Sequence, residues 1–301
     1  MSVTIRHWLL LCTVVAGMLG CGGKATTPVY EDNAGTSASS GAGGNVDSSA
    51  KASEAASAAA PAKFRQSFDE ATREDRPYEN DMLPRQTLTG RSVGVLYEEV
   101  RMDWDGVKLV SNAGKVLVYP VTVHTIYGDI ELELHPEWAP NHVRSFVALA
   151  RVGYYDGLTF DRRIEQESAR EEIPSLKMVE AGCPMGMGAH DLGSIGYWLK
   201  AEVNPDIKHD EGIIGAWHGE DPDTAACRFY ICLSKAPTLD GRFTTFAKVV
   251  HGMEVVRRIY TQPFKVHDDD EEGCHRFQEP PVISKVVVHE PVEGGSVGSG
   301  Q

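Results

Sequence analysis

Between residues 158 and 288 the chain breaks into short apolar runs, at 158–164, 178–181, 213–217, 229–233, 244–250 and 282–288, separated by Gly, Pro and Asp-Gly turns. Runs of this length are too short for helices, and their spacing is that of strands in an antiparallel barrel or sandwich. Just upstream the alternation is explicit. Ile130, Leu132 and Leu134 alternate with Glu131 and Glu133, and Tyr127-Gly128-Asp129 separates this strand from an apolar one before it, as a hairpin turn does. Helical spacing is rarer. Val93, Leu96, Tyr97 and Val100 share one face of a helix opened by Thr87 or Thr89. Pro140 opens another, with Val143, Phe146, Val147 and Ala150 on one face and Gly153 placed to end it. Val255, Val256 and Ile259 mark a last one over residues 253–260. The class is mainly β.

The chain has 301 residues, but its first part does not read as globular. One basic residue, Arg6, precedes an apolar run over 8–16, and the run ends at Leu19-Gly20-Cys21. That is the layout of a cleaved signal sequence, and the run is shorter than the ~20 apolar residues that span a bilayer. The ending resembles a bacterial lipoprotein processing box, with Met18 where leucine is more usual. The expectation is a signal peptide over 1–20 and a lipidated Cys21, held in the membrane by acyl chains worth ~0.8 kcal/mol per CH2. Residues 21–63, rich in Ala, Ser, Gly and Thr, offer almost nothing to bury and are expected to be a disordered tether with a reach of ~35 Å. Residues 64–119 are expected to be a lead-in extension, of which 64–85 is charged, interrupted by Pro77 and Pro84, and expected to be extended. This arrangement places the folded part in a bacterial cell envelope, facing away from the cytoplasm.

Composition excludes several functions. A formal net charge of −14 disfavours nucleic-acid binding, which depends on neutralising phosphates. The acidic run Asp268-Asp269-Asp270-Glu271-Glu272 lacks the spaced ligands of a calcium loop and is expected to be a solvated loop. No G-x-G-x-x-G opens a helix after a strand and no H-E-x-x-H is present, so common nucleotide and zinc-protease sites have no anchor. Beyond the signal segment and Cys21 the cysteines are Cys183, Cys227, Cys232 and Cys274, an even number that permits disulfides outside the cytoplasm. No C-x-x-C pair exists to support a zinc or redox site.

In order along the chain, the segments YGDIELEL, APNHVRSFVALARVGYYDGLTF, the Arg-Arg-Ile after it, GSIGYWLKAE, FYICLS, LDGRFTTFAKVVHGMEVV and VISKVVV resemble the cyclophilins, a family of peptidyl-prolyl isomerases. The resemblance implies a cyclophilin-like eight-stranded antiparallel barrel over 120–291, capped by two helices and followed by a flexible tail over 292–301. It implies that Arg162, in Phe-Asp-Arg, is the catalytic arginine, with Phe160 as its apolar neighbour. Strand alternation sends Arg162 and Arg163 opposite ways, one into the site and one out, which leaves Arg163 as ordinary surface charge. Met178, Phe229 and Leu239 match apolar wall residues, Tyr230 stands where phenylalanine is usual, and Phe243 where histidine is common. Lys177 replaces an aromatic residue and Thr238 a tryptophan, while His218 and Gly219 fall in the stretch whose backbone meets substrate.

Glu180 and Arg228 stand where the family has two glutamines flanking the arginine. Their opposite charges suggest a coupled swap, in which Arg228 holds Glu180 and so keeps it from neutralising Arg162. The resemblance also implies that Cys183 and Cys227, on neighbouring strand ends, form a disulfide. The implied activity is rotation of X-Pro bonds in proline-containing polypeptides, with no metal or cofactor. Two other functions fit the same resemblance: a module that holds proline-containing segments without turning them over, and a scaffold for envelope proteins.

Overall fold

The computed structural model describes residues 62–75, 83–168, 174–186, 193–266 and 273–294. The expected signal peptide, Cys21, most of the tether and the acidic run at 268–272 lie outside the described residues.

Strands β1 (Thr72–Arg73), β2 (Leu117–Thr125), β3 (Gly128–Leu134), β4 (Phe160–Gln166), β5 (Leu176–Ala181), β6 (Trp198–Leu199) and β7 (Ile213–Ala216) are followed by β8 (Phe229–Cys232), β9 (Thr245–His251), β10 (Phe264–Lys265), β11 (Cys274–Phe277), β12 (Ile283–Val288) and β13 (Val292–Glu293). The helices are α1 (Phe68–Ala71), α2 (Val93–Asp103), α3 (Pro140–Arg151) and α4 (Met253–Tyr260). One antiparallel sheet runs in the order β10-β11-β4-β5-β8-β7-β9-β3-β2-β12, with β13 also on β2. The stretch from β4 to β12 supplies the eight strands expected of the barrel, and α3 and α4 pack against it. The ring is not closed by a ladder, however. The segment before β4 meets β12 and the residues just ahead of it through a Thr159–Val282 bridge, backbone bonds such as Ile283 to Leu158, and the Val286 amide donating to Asp156 Oδ1 at 2.9 Å.

The β2–β3 hairpin forms as its alternation requires. Val121 pairs with Leu132 and Val123 with Ile130, all buried, while Glu131 is exposed and Glu133 half-buried on the opposite face. Helix α3 starts at Pro140, whose missing N–H costs nothing in the first turn. It is buried along nearly its whole length, although only one of its faces is apolar. The lead-in explains this. The Arg144 guanidinium of α3 donates to the Gln66 and Phe64 carbonyls at 2.6 and 3.0 Å, and the Trp104 ring lies 5.4 Å from its Cζ. Phe68, Leu96, Val100 and Trp104 enter the same hydrophobic core as the barrel strands.

Several expectations are corrected here. Residues 64–85 are not simply extended: Ser67 caps α1 with a capping box, and β1 pairs with β6. Helix α2 is preceded by Ser92 rather than opened at Thr87 or Thr89, whose hydroxyls bond each other. The tail expected from 292 begins with β13, paired to Leu117 and Val118. Because Trp104 is 1 % exposed and joins the lead-in to α3, Trp104→Ala is expected to destabilise the folded part by about 3–5 kcal/mol in urea denaturation. A loss below 1 kcal/mol would show that the lead-in is only loosely attached.

Candidate active site

Cross-strand pairing builds the site. Arg276 of β11, Arg162 of β4, Glu180 of β5, Tyr230 of β8 and Gly215 of β7 are successive register partners, so they lie in one row across five strands. The row lies on the face away from the main core. Ile164, Met178, Tyr230, Cys232, Ala236, Leu239 and Cys274 form a second, separate apolar cluster on that face, and Leu176, Trp217 and Phe243 pack against it half-buried.

The expected pocket residues divide between the two faces. Met178, Tyr230, Leu239 and Phe243 are on the site face, whereas Phe160 and Phe229 belong to the main core, with ring centroids 6.5 Å apart. They underlie the site instead of lining it. The reason is an irregularity of register in β4: Phe160 pairs with Ala181 and Arg162 with Glu180, which leaves Asp161 as the extra residue of a bulge. Phe229 follows by alternation, since Ala181 pairs with it.

Arg162 and Arg163 do diverge, but neither is surface charge. Arg163 is buried against α4 and β10, with its Cζ 4.2 Å from the Tyr260 ring and 4.3 Å from the Phe264 ring. It also donates to the Tyr260 hydroxyl at 3.1 Å and pairs with Glu165. On the site face Arg162 donates Nε and Nη2 to the same oxygen, Glu180 Oε2, at 2.9 and 2.7 Å. Arg228 Nη2 reaches that oxygen too, at 2.6 Å. Glu180 is therefore shared by both arginines, not withheld from Arg162 as the swap required. A carboxylate at this position meets both guanidiniums because Glu180 and Arg162 are direct cross-strand partners, while Arg228 sits one residue before β8. Burial pushes the Glu180 pKa up, but the Arg162 and Arg228 charges outweigh it and hold the carboxyl below its ordinary range. Arg162 makes no hydrogen bond through Nη1 to any described residue.

Asp161 completes the cluster. It is 1 % exposed, neither of its oxygens accepts a hydrogen bond, and Arg228 Nη2 is 3.9 Å away. Burial raises its pKa from the ordinary 3.8 to about 6, against the pull of Arg228. Tyr230 is fixed from the other side, with its hydroxyl 2.9 Å from His209 Nε2 and His209 Nδ1 3.0 Å from Asp240. Burial lowers the His209 pKa, so the ring is neutral: Nδ1–H donates to Asp240 and Nε2 accepts from the phenol. A Cβ at Gly215 would overlap the Tyr230 hydroxyl, so the glycine makes room for tyrosine at this position.

His218 stacks on Phe243 with centroids 4.1 Å apart, and the Gly219 amide donates to Thr224 Oγ1 at 3.0 Å. Lys177 points to Glu165, 3.2 Å away, at the rim. No disulfide joins Cys183 to Cys227; both are buried thiols. The ladder ends at Ala181–Phe229. Beyond it Gly182 turns the chain at φ 90, and the Cys227 amide bonds to Gly193 in place of a β5 partner. Reading the residues did not single out Asp161, Trp217, His209, Asp240 or Gly215. Asp161 lies within Phe-Asp-Arg and Trp217 closes the apolar run 213–217, but His209 and Asp240 are separated by 31 residues with no local signal.

Arg162 is thus fixed on a strand beside an apolar shelf, and no group of three or more metal-ligating side chains occurs among the described residues. Residues 120–288 match the family model described as cyclophilin type peptidyl-prolyl cis-trans isomerase/CLD. The chain belongs to that family. It is 32% identical over 183 residues to peptidyl-prolyl cis-trans isomerase 9 of Schizosaccharomyces pombe, covering 60% of this chain and only 28% of that one. It is 34% identical over 139 residues to peptidyl-prolyl cis-trans isomerase-like 1 of Rhizopus delemar, covering 46% of this chain and 78% of that one. A crystal structure of a Cryptosporidium parvum cyclophilin type peptidyl-prolyl cis-trans isomerase aligns with a TM-score of 0.46 at 25% identity, over 57% of this chain and 98% of that one.

The raised pKa of Asp161 has a definite sign. Between pH 3.8 and about 6 the folded state holds a proton that the unfolded state has lost, so stability falls as pH rises through that window. Above it, ionised Asp161 costs about 3 kcal/mol. Asp161→Asn is therefore expected to raise stability at pH 8 by an amount of that order and to leave it unchanged near pH 3.5, as read by denaturant melts at both pH values.

Proposed function

We propose that this chain is a peptidyl-prolyl cis-trans isomerase acting on X-Pro bonds of extracytoplasmic proteins, tethered through a lipid on Cys21 to a bacterial envelope membrane. The observation that carries the activity is the asymmetric use of the Arg162 guanidinium. Nε and Nη2 are spent on Glu180, which fixes the plane of the fork, and Nη1 is left as the donor for substrate.

Rotating an X-Pro bond means breaking the amide conjugation that gives peptide bonds a barrier of ~18–20 kcal/mol. In the twisted state the prolyl nitrogen recovers its lone pair. A guanidinium N–H donating there stabilises that state more than either planar one, which is the requirement for catalysis. Because Glu180 already orients the fork, little reorganisation is needed when the bond twists. The proline ring is taken by Met178, Leu239 and Phe243, with Tyr230 held by His209 behind them. No proton is transferred, so neither a general base nor a cofactor enters the scheme. Slow X-Pro isomerisation, tens of seconds unaided, makes such an activity useful to exported proteins that fold outside the cytoplasm.

A protease-coupled assay on X-Pro peptides tests this reading. Arg162→Ala is expected to lower kcat/KM by about 100-fold or more, the scale of losing one preorganised donor. Arg163→Ala is expected to keep most of the specific activity at 25 °C but to lose about 1–3 kcal/mol of stability, because its guanidinium is packed between two rings. No turnover by the wild-type chain would leave a proline-binding module in place of the enzyme.

A further inference from the structure

Within the site-face cluster the polar groups are buried, with Arg228, Glu180 and Tyr230 at 1 % exposure, and Arg162 reaches the surface with only 3 % of its area. The cluster meets solvent through the half-buried side chains of Trp217, Phe243 and Leu176. Of these three, Trp217 stands over the charges. Its ring centroid is 4.3 Å from the Arg228 Cζ and 5.9 Å from the Arg162 Cζ. Its backbone is held by the Trp217 amide, which donates to the Arg228 carbonyl at 3.2 Å, and the Arg228 stem and the indole both border Gly193, where an added Cβ would meet them. Phe243 is bound up with the other wall, stacked on His218 and edge-on to Tyr230 at 6.1 Å. The indole is thus the aromatic surface beside Arg162, with one face on the arginines and the remainder toward solvent.

We propose that Trp217 contacts the substrate and sets its specificity, by packing against the side chain that precedes proline. This rests on the isomerase site described above. The step that carries it is covalent geometry. The prolyl nitrogen that Arg162 addresses is bonded to the carbonyl of the preceding residue, so that residue lies beside Arg162 when the proline ring occupies the shelf of Met178, Leu239 and Phe243. The surface beside Arg162 is the indole. An aromatic or large aliphatic side chain covers its free face and removes apolar area from water, whereas glycine leaves it wet. The cations behind the indole hold the ring in place, since Arg228 and Arg162 both lie against it. The chain is therefore expected to favour Phe-Pro and Leu-Pro over Gly-Pro by about tenfold in kcat/KM, the scale of discrimination by an apolar wall.

The test uses the mature chain with a peptide series differing only in the residue before proline: Phe, Leu, Ala and Gly. Wild type is expected to show the preference. Trp217→Ala is expected to flatten it, lowering kcat/KM for Phe-Pro and Leu-Pro about tenfold more than for Gly-Pro. Trp217→Phe should restore part of it. A preference that survives in Trp217→Ala, or a loss equal for all four peptides, overturns the proposal. A second measurement stands apart from catalysis. In protein labelled with 5-fluorotryptophan, the 19F resonance that disappears in Trp217→Phe identifies this indole, and a Phe-Pro peptide should shift it where the Gly-Pro peptide does not. If the wild-type chain turns over none of the peptides, the isomerase reading fails. The Trp217 contact is then decided by the 19F shift alone, and an unmoved resonance at saturating Phe-Pro peptide overturns it.

Discussion

One carboxylate oxygen shared by two buried arginines is the constraint around which the site is arranged. Glu180 Oε2 accepts from Arg162 and Arg228, all three side chains being at most 3 % exposed. Each charge costs several kcal/mol to bury unless its partners compensate, and removing one partner from such a cluster typically costs 3–5 kcal/mol. Two guanidiniums against one carboxylate leave an excess of positive charge, and Asp161 brings the group to neutrality at a distance of 3.9 Å from Arg228. Burial holds its proton to about pH 6, while the two arginines keep Glu180 ionised. The benefit is geometric. Arg162 keeps one orientation, with two of its donor nitrogens committed and the third available.

The register irregularity that sets Asp161 apart also decides the fate of its neighbours. With that extra residue, Phe160 enters the core, Arg162 joins the site row and Arg163 points to the opposite face, under α4 and β10. The same short strand thus supplies a core residue, the arginine of the candidate site and a clamp for the hairpin that follows α4. The lead-in acts in a comparable way on the far side. It spends the carbonyls of Phe64 and Gln66 on Arg144, which allows a helix with only one apolar face to be covered all round. A cation buried in α3 is satisfied by backbone that precedes the barrel by dozens of residues, so the lead-in is part of the folded unit.

Local pattern made some elements legible and left others hidden. The alternation in β3 and the stripe in α4 were readable because each segment solves its own burial problem, with one face apolar and the other charged. α1, β1, β10 and β11 were not readable, because they are short and partly charged and depend on partners elsewhere in the chain: Thr72 pairs with Leu199, and Arg276 with Arg162. Resemblance located Arg162, Met178, Tyr230 and Leu239 on the site face. It counted Phe160 and Phe229 among the pocket residues, whereas the bulge at Asp161 and the Ala181–Phe229 pairing turn both rings into the main core. The burial of Arg163 was equally invisible: its partner Tyr260 lies 97 residues away. The sharing of Glu180 was missed for a different reason, as the choice between one arginine and two depends on distances that pairing alone does not specify.

In the proposed mechanism the fork of Arg162, and not its charge alone, makes the site work, since two donors hold Glu180 while a third serves the prolyl nitrogen. Arg162→Lys separates these, because an ammonium keeps the charge but presents a single nitrogen with no planar fork. Exchange spectroscopy on an X-Pro peptide, comparing wild type with Arg162→Lys in folded protein at equal concentration, measures the catalysed rotation directly. Exchange is expected to fall by about 100-fold, close to the loss on removing the side chain altogether. Exchange within a few-fold of wild type would contradict it, by showing that positive charge beside the proline is sufficient.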